Sequence, residues 1–101
     1  MRSVWKDYPT ALDLRRCVYG TVTVSKTEVG RTETFPRDCL VHVTADQDIW
    51  VALNEEPGVE DGYLVYGGKV HTVFVVTQGD WLGFVAEKKT EVTYHTITWK
   101  P

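Results

Sequence analysis

From Cys17 onward the chain is written in twos. Across "VYGTVTVS", Val18, Val22 and Val24 fall on one side and Tyr19, Thr21 and Thr23 on the other. Side chains of an extended strand point alternately to opposite faces, so this spacing fits a half-buried strand and not a helix. The pattern returns in "CLVHVTA", "DIWVALN", "YLVYGGKVHTVFVV", "WLGFVAE" and "EVTYHTITW". Turn-forming clusters interrupt it at spacings of about 8–12 residues. The longest of them is "EEPGVEDG", where Pro57, Gly58 and Gly62 mark breaks. "EVGRTETF", stopped by Pro36, reads as a polar edge strand, because proline cannot donate to a ladder. The short polar tip "DQ" suits a hairpin turn between "CLVHVTA" and "DIWVALN". Gly67–Gly68 separates two strands or marks a bulge in one, and "TQGD" and "KKT" read as turns.

Seven or eight short strands with little helix predict an all-β chain, an antiparallel β-sandwich of jelly-roll or immunoglobulin-like type. No Trp lies between Cys17 and Cys39, so the Cys…Trp…Cys framework of true immunoglobulin domains is absent. Residues 1–16 differ from the rest and are expected to form an N-terminal arm or short helix. In "PTALDLRR", Thr10 offers an N-cap with Asp13 three residues on, before one or two helical turns. Residues 17–101 then make a single β-sandwich domain, the one domain a 101-residue chain allows.

Strand parity separates core candidates from the remaining apolar side chains. Leu82, Phe84 and Ala86 form the more continuous apolar face of their strand, which puts Trp81 and Val85 opposite. Ile49, Val51 and Leu53 are core candidates, and Trp50 falls on the other side. In the last strand Val92, Tyr94, Thr96 and Thr98 share one face, and Thr93, His95, Ile97 and Trp99 the other. Trp50 and Trp81 are thus out of phase with the core, and Trp5 and Tyr8 stand among polar residues of the arm. These four are the candidate binding residues. Either they meet a partner, or both sheet faces are covered locally, for instance by the N-terminal segment.

Composition closes several routes. The net charge of −3 and the lack of any run of Lys or Arg leave no basic stripe to displace counterions from phosphates, so nucleic-acid binding is not expected. No segment approaches the ~20 apolar residues of a membrane span, and the first residues lack the apolar core of a secretory signal. The expected site of synthesis is a cytoplasm. There the two cysteines, Cys17 and Cys39, read as reduced thiols in or near the core. His42, His71 and His95 each lie in a predicted strand without a His-x-His or His-x-Asp pair; a three-strand zinc site is the alternative to ordinary, partly exposed histidines. The acidic pairs sit in turns and lack the remaining ligands of a calcium loop. No nucleophile elbow, P-loop, dinucleotide fingerprint or cysteine-protease signature occurs, so no catalytic, cofactor-binding or metal residues are assigned and an enzyme is not expected.

The stretch from Cys39 to Trp99 resembles the small β-sandwich proteins of tailed-phage virions. There an apolar strand precedes a Pro/Gly/Asp-rich loop, a "Y-L-x-x-G-x" strand follows, and a "GD" turn leads into the final hairpin. The resemblance covers about three-fifths of the chain as a pattern of strands and turns. It implies a capsid decoration or cement protein, synthesised in the host cytoplasm, that works in the virion by homo-oligomerisation and by docking on the major capsid protein. "QGDWLGFVAEKKTEVTYHTITWKP" is also similar to the closing hairpin of jelly-roll carbohydrate-binding modules, with Gly79, Asp80, Phe84, Tyr94, Thr96, Trp99 and Pro101 in matching places. Many of those modules carry Asp after the Tyr, where this chain has His95. That likeness implies a glycan partner stacked on Trp50 or Trp81. A phage-encoded inhibitor of a host protein is a third reading, with no residue-specific support.

Overall fold

A computed structural model describes residues 18–68 and 70–97, together with the backbone pairing of residues 11–12 and 99–100. No helix forms among them. The strands are β1 (Ala11–Leu12), β2 (Tyr19–Val24), β3 (Gly30–Arg31), β4 (Cys39–Ala45), β5 (Ile49–Leu53), β6 (Tyr63–Val65), β7 (Thr72–Val76), β8 (Leu82–Ala86), β9 (Thr90–Ile97) and β10 (Trp99–Lys100). One four-stranded sheet has the order β2-β9-β4-β7, the other β3-β8-β5-β6, and β1 pairs with β10. Every pairing is antiparallel.

The pairs β1–β10, β2–β9, β3–β8, β4–β7 and β5–β6 nest inside one another. The chain is therefore one long two-stranded ribbon, doubled at the β5–β6 loop and rolled so that successive pairs alternate between the sheets. That is a jelly roll, and it decides between the two sandwich types. It also corrects the hairpins expected from turn chemistry. Six of the seven links between β2 and β9 cross from one sheet to the other, and only β5–β6 joins neighbours. The "DQ" tip, the "GG" pair and the "KKT" turn are sheet-crossing arches. Of the segment "PTALDLRR", expected as an arm or short helix, two residues are described. Ala11 and Leu12 pair with Lys100 and Trp99 in extended conformation; the rest of that segment lies outside the described residues, as do Trp5 and Tyr8.

The core fills the gap of ~10 Å between the sheets. Val24, Val41, Val43, Val76, Val92 and Tyr94 come from one sheet and Ile49, Val51, Val65, Leu82, Phe84 and Ala86 from the other. Phe35, in the β3–β4 link, is fully buried and tied at both ends of its peptide. Its N–H donates to the Asp80 carbonyl at 2.8 Å, and its carbonyl accepts from Gly79 N–H at 2.9 Å. Buried hydroxyls are satisfied, as a low-dielectric interior requires. Thr96 Oγ1 accepts from Val18 N–H at 2.8 Å, and Thr32 Oγ1 accepts from Leu82 N–H at 3.0 Å while donating to the Glu33 carbonyl. The "TQGD" turn is as the sequence anticipates. Asp80 N–H reaches the Thr77 carbonyl at 3.0 Å, and Gly79 takes the positive φ of 93° that the third position of a type II turn requires.

Candidate docking surfaces

The outer face of the β3-β8-β5-β6 sheet carries both tryptophans singled out by parity, and both are partly buried. Trp50 stands between Leu64 of β6 and Val85 of β8 in the strand register. Val85 points away from the core yet is 1% exposed. The β5–β6 loop folds back over this face at Gly83, the same-face neighbour of Val85. Its Pro57 is buried, and a β-carbon on Gly83 would strike the Glu55 carbonyl and come within 2.9 Å of Pro57 Cδ. The "EEPGVEDG" loop thus covers this face at Gly83.

Trp81 lies four residues along the sheet from the Trp50 row, about 13 Å at strand spacing. Its ring is already in use, because the Arg31 guanidinium stacks 3.8 Å from the ring centroid, a cation–π contact. Its backbone is clamped too. Trp81 N–H donates to Asn54 Oδ1 at 2.9 Å, Asn54 N–H donates to the Trp81 carbonyl at 2.8 Å, and the Asn54 amide donates to Asp80 Oδ1 at 3.0 Å. Asp80 also accepts from the Thr77 backbone and hydroxyl. Those hydrogen bonds, the Asn54 one foremost, hold the Asp80 carboxyl below its ordinary pKa.

Trp50 differs, because it lines an open cleft of about 280 Å³. The remaining walls are polar: Asp46, Gln47, Asp48, Glu87 and Lys88, with Gly67 at the back. Asp48 Oδ1 fixes the Gly67 N–H at 2.7 Å, and Gly68 N–H reaches the Asp46 carbonyl at 3.0 Å. The structure keeps Trp50 and Trp81 in separate settings and does not bring them together as one aromatic platform.

A larger apolar region surrounds β7, and sequence reasoning missed it. Val75 is 78% exposed, Tyr63 61%, Leu53 51% and Val73 47%. Leu53 was expected in the core by its parity with Ile49 and Val51; it is the last residue of β5, paired with Leu82 of β8 but beyond the β5–β6 pairing, which stops at Val51. The Tyr63 ring meets Phe74 edge-to-face at 5.5 Å, joining the rims of the two sheets. Two shallow grooves flank Val75. One of about 250 Å³ is lined by Val51, Ala52, Leu53, Tyr63, Phe74 and Leu82. The other, about 240 Å³, includes Cys39, Leu40 and Val76.

The three histidines, distant in sequence, meet on the outer face of the β2-β9-β4-β7 sheet. His42 and His95 are register partners whose rings stack at 4.8 Å, and His71 approaches His42 edge-on at 6.1 Å. Val73 and Tyr19 continue that cross-strand row on either side. Burial, then the neighbouring His95 and His71, lower the His42 pKa. Stacked rings do not converge their nitrogens on one point. Among the described residues no group of three or more His, Cys, Asp or Glu side chains is placed to hold a metal ion, so the arrangement gives no support to the three-strand zinc alternative. No protein-family model, no curated protein and no solved structure matches this chain.

Proposed function

We propose that this chain is a non-enzymatic structural protein of a virion, a capsid decoration subunit that self-associates and docks on a lattice of the major capsid protein. The observation that carries the reading is the gathering of Leu53, Tyr63, Val73 and Val75 on one side of the sandwich. They are four of the eight exposed large apolar or aromatic side chains among the described residues. Isolated exposed apolar residues are ordinary, whereas a contiguous patch marks an interaction surface. The jelly roll agrees with this role, since viral capsid domains use it, but so do lectins, and a fold alone does not fix a function. Docking needs no cofactor. Mass spectrometry of purified particles tests the proposal: the chain is expected at a fixed stoichiometry to the major capsid protein, and its absence from particles overturns the reading.

A second reading is favoured by the Trp50 cleft. An indole face beside Asp46, Asp48, Glu87 and Gln47 presents what a sugar ring offers contacts for, a flat apolar surface with hydrogen-bond acceptors at its rim. On this reading Trp50→Ala abolishes capture of glycans on an array while far-UV circular dichroism is unchanged. An array on which the wild-type protein binds nothing removes it. Trp81 fits the role less well, because Arg31 already occupies its ring.

A further inference from the structure

Strand β7 has a described neighbour on one side only. It pairs with β4 through Cys39–Val76 to Val43–Thr72, and no described strand lies beyond it. Its outer backbone N–H and C=O groups are a template for another chain, an edge that soluble proteins normally block with lysine, proline, a bulge or a covering loop. Thr72–Val76 reads TVFVV, with no charge, proline or glycine, and its five-residue register with β4 is unbroken. Val73 and Val75 are exposed on the outer face of this strand.

The strand also reads nearly the same in both directions: β-branched, Val, Phe, Val, β-branched. Antiparallel pairing about a two-fold axis at Phe74 would set Thr72 opposite Val76 of a second copy, Val73 opposite Val75, and Phe74 opposite Phe74. An isologous interface requires such self-complementarity, and an unrelated partner strand does not. On the outer face the Val73 and Val75 pairs would extend the apolar row that Leu40 and Ile97 continue within each sheet. The exposed parts of Leu53, Tyr63, Val73 and Val75 come to roughly 400 Å². That is about two-thirds of the ~600 Å² per partner at the low end of specific interfaces, with the edge backbone and the part-buried Phe74 supplying more.

We infer that β7 pairs antiparallel with β7 of a second copy, fusing two four-stranded sheets into one eight-stranded sheet. The inference rests on the docking role proposed above for the β7 side, and names the occupant. Light scattering on the full chain over about a hundredfold range of concentration tests it. The wild type is expected to rise from 11.5 kDa to twice that mass. Val75→Lys changes an exposed side chain and is expected to weaken dimerisation about 100-fold or more with an unchanged circular dichroism spectrum. The double variant Val73→Cys with Val75→Cys is expected to give an oxidised covalent dimer in which peptide mapping finds residue 73 linked to residue 75. A wild type that stays monomeric throughout, or a dimer indifferent to Val75→Lys, overturns the inference. A monomer that still binds purified particles overturns the pairing and leaves the virion reading intact. A Val75→Lys-sensitive dimer absent from particles does the reverse.

Discussion

Replacing Gly83 with alanine tests whether the β5–β6 loop seals the Trp50 side of the sandwich. Gly83 lies in the interior of β8, paired with Ala52 and Arg31, and the added methyl would point outward into the Glu55 carbonyl and Pro57. The neighbour is backbone and a proline ring, neither of which can swing aside as a flexible side chain could. Overpacking of this kind costs about 1–3 kcal/mol. Alanine recovers about 0.4–1 kcal/mol by restricting the unfolded chain, so the net loss is roughly 1–2 kcal/mol. For a domain of this size each kcal/mol moves the melting temperature by about 4–8 °C, which gives a fall of roughly 5–15 °C. The assay is thermal unfolding followed by circular dichroism, paired with hydrogen exchange of the 54–62 segment, whose amides should lose protection in the variant. A Gly83→Ala protein as stable as the wild type would refute the packing of that loop, and with it the assignment of the open apolar surface to the β7 side.

Two further predictions concern titration. Because the folded-state pKa of His42 lies below 6.5, the unfolded chain binds protons more tightly in that range. Stability should hold above pH 6.5 and decline as pH falls through that value toward the folded pKa, and His42→Gln should flatten the decline in melting temperature between neutral and mildly acid buffer. An unaltered slope would show that the stacked histidines do not govern it. Asp80 behaves oppositely in origin, with its folded pKa held below 3.8 by hydrogen bonds. Its contribution is complete above that value and lost as pH falls through the folded pKa, so Asp80→Ala should lower the melting temperature at pH 7 by an amount that shrinks in strong acid. A deficit of constant size from neutral to acid would contradict the clamp.

Much of the fold was legible because period-two spacing reports which face a side chain occupies. Leu82, Phe84, Ala86, Ile49 and Val51 are buried as parity requires, and Trp50 and Trp81 are not. Parity does not report where a neighbouring strand stops, and so it misplaced Leu53, which lies beyond the last β5–β6 pair at Val51 and Tyr63. Nor does it show what a loop covers. Val85 is as buried as the true core although parity turns it outward, and the Pro57 loop lies over its same-face neighbour Gly83. A two-residue polar tip serves a hairpin and a sheet-crossing arch equally well, which is why "DQ" and "KKT" could not disclose the rolled ribbon. The histidine cluster and the β7 patch depend on cross-strand register, since His42 and His95 are 53 positions apart yet directly opposed. Sequence spacing carries no trace of that. The uncharged run TVFVV was the one available signal for the patch, and it reads as an ordinary core strand until the sheet order places it at an edge.

The surface around β7 meets its sharpest test in amide hydrogen exchange of Thr72–Val76, followed in dilute and in concentrated protein. If that side is hidden by association, exchange within the segment slows as concentration rises, while the Trp50 cleft is indifferent. Equal exchange at both concentrations, with the protein monomeric, would contradict the account.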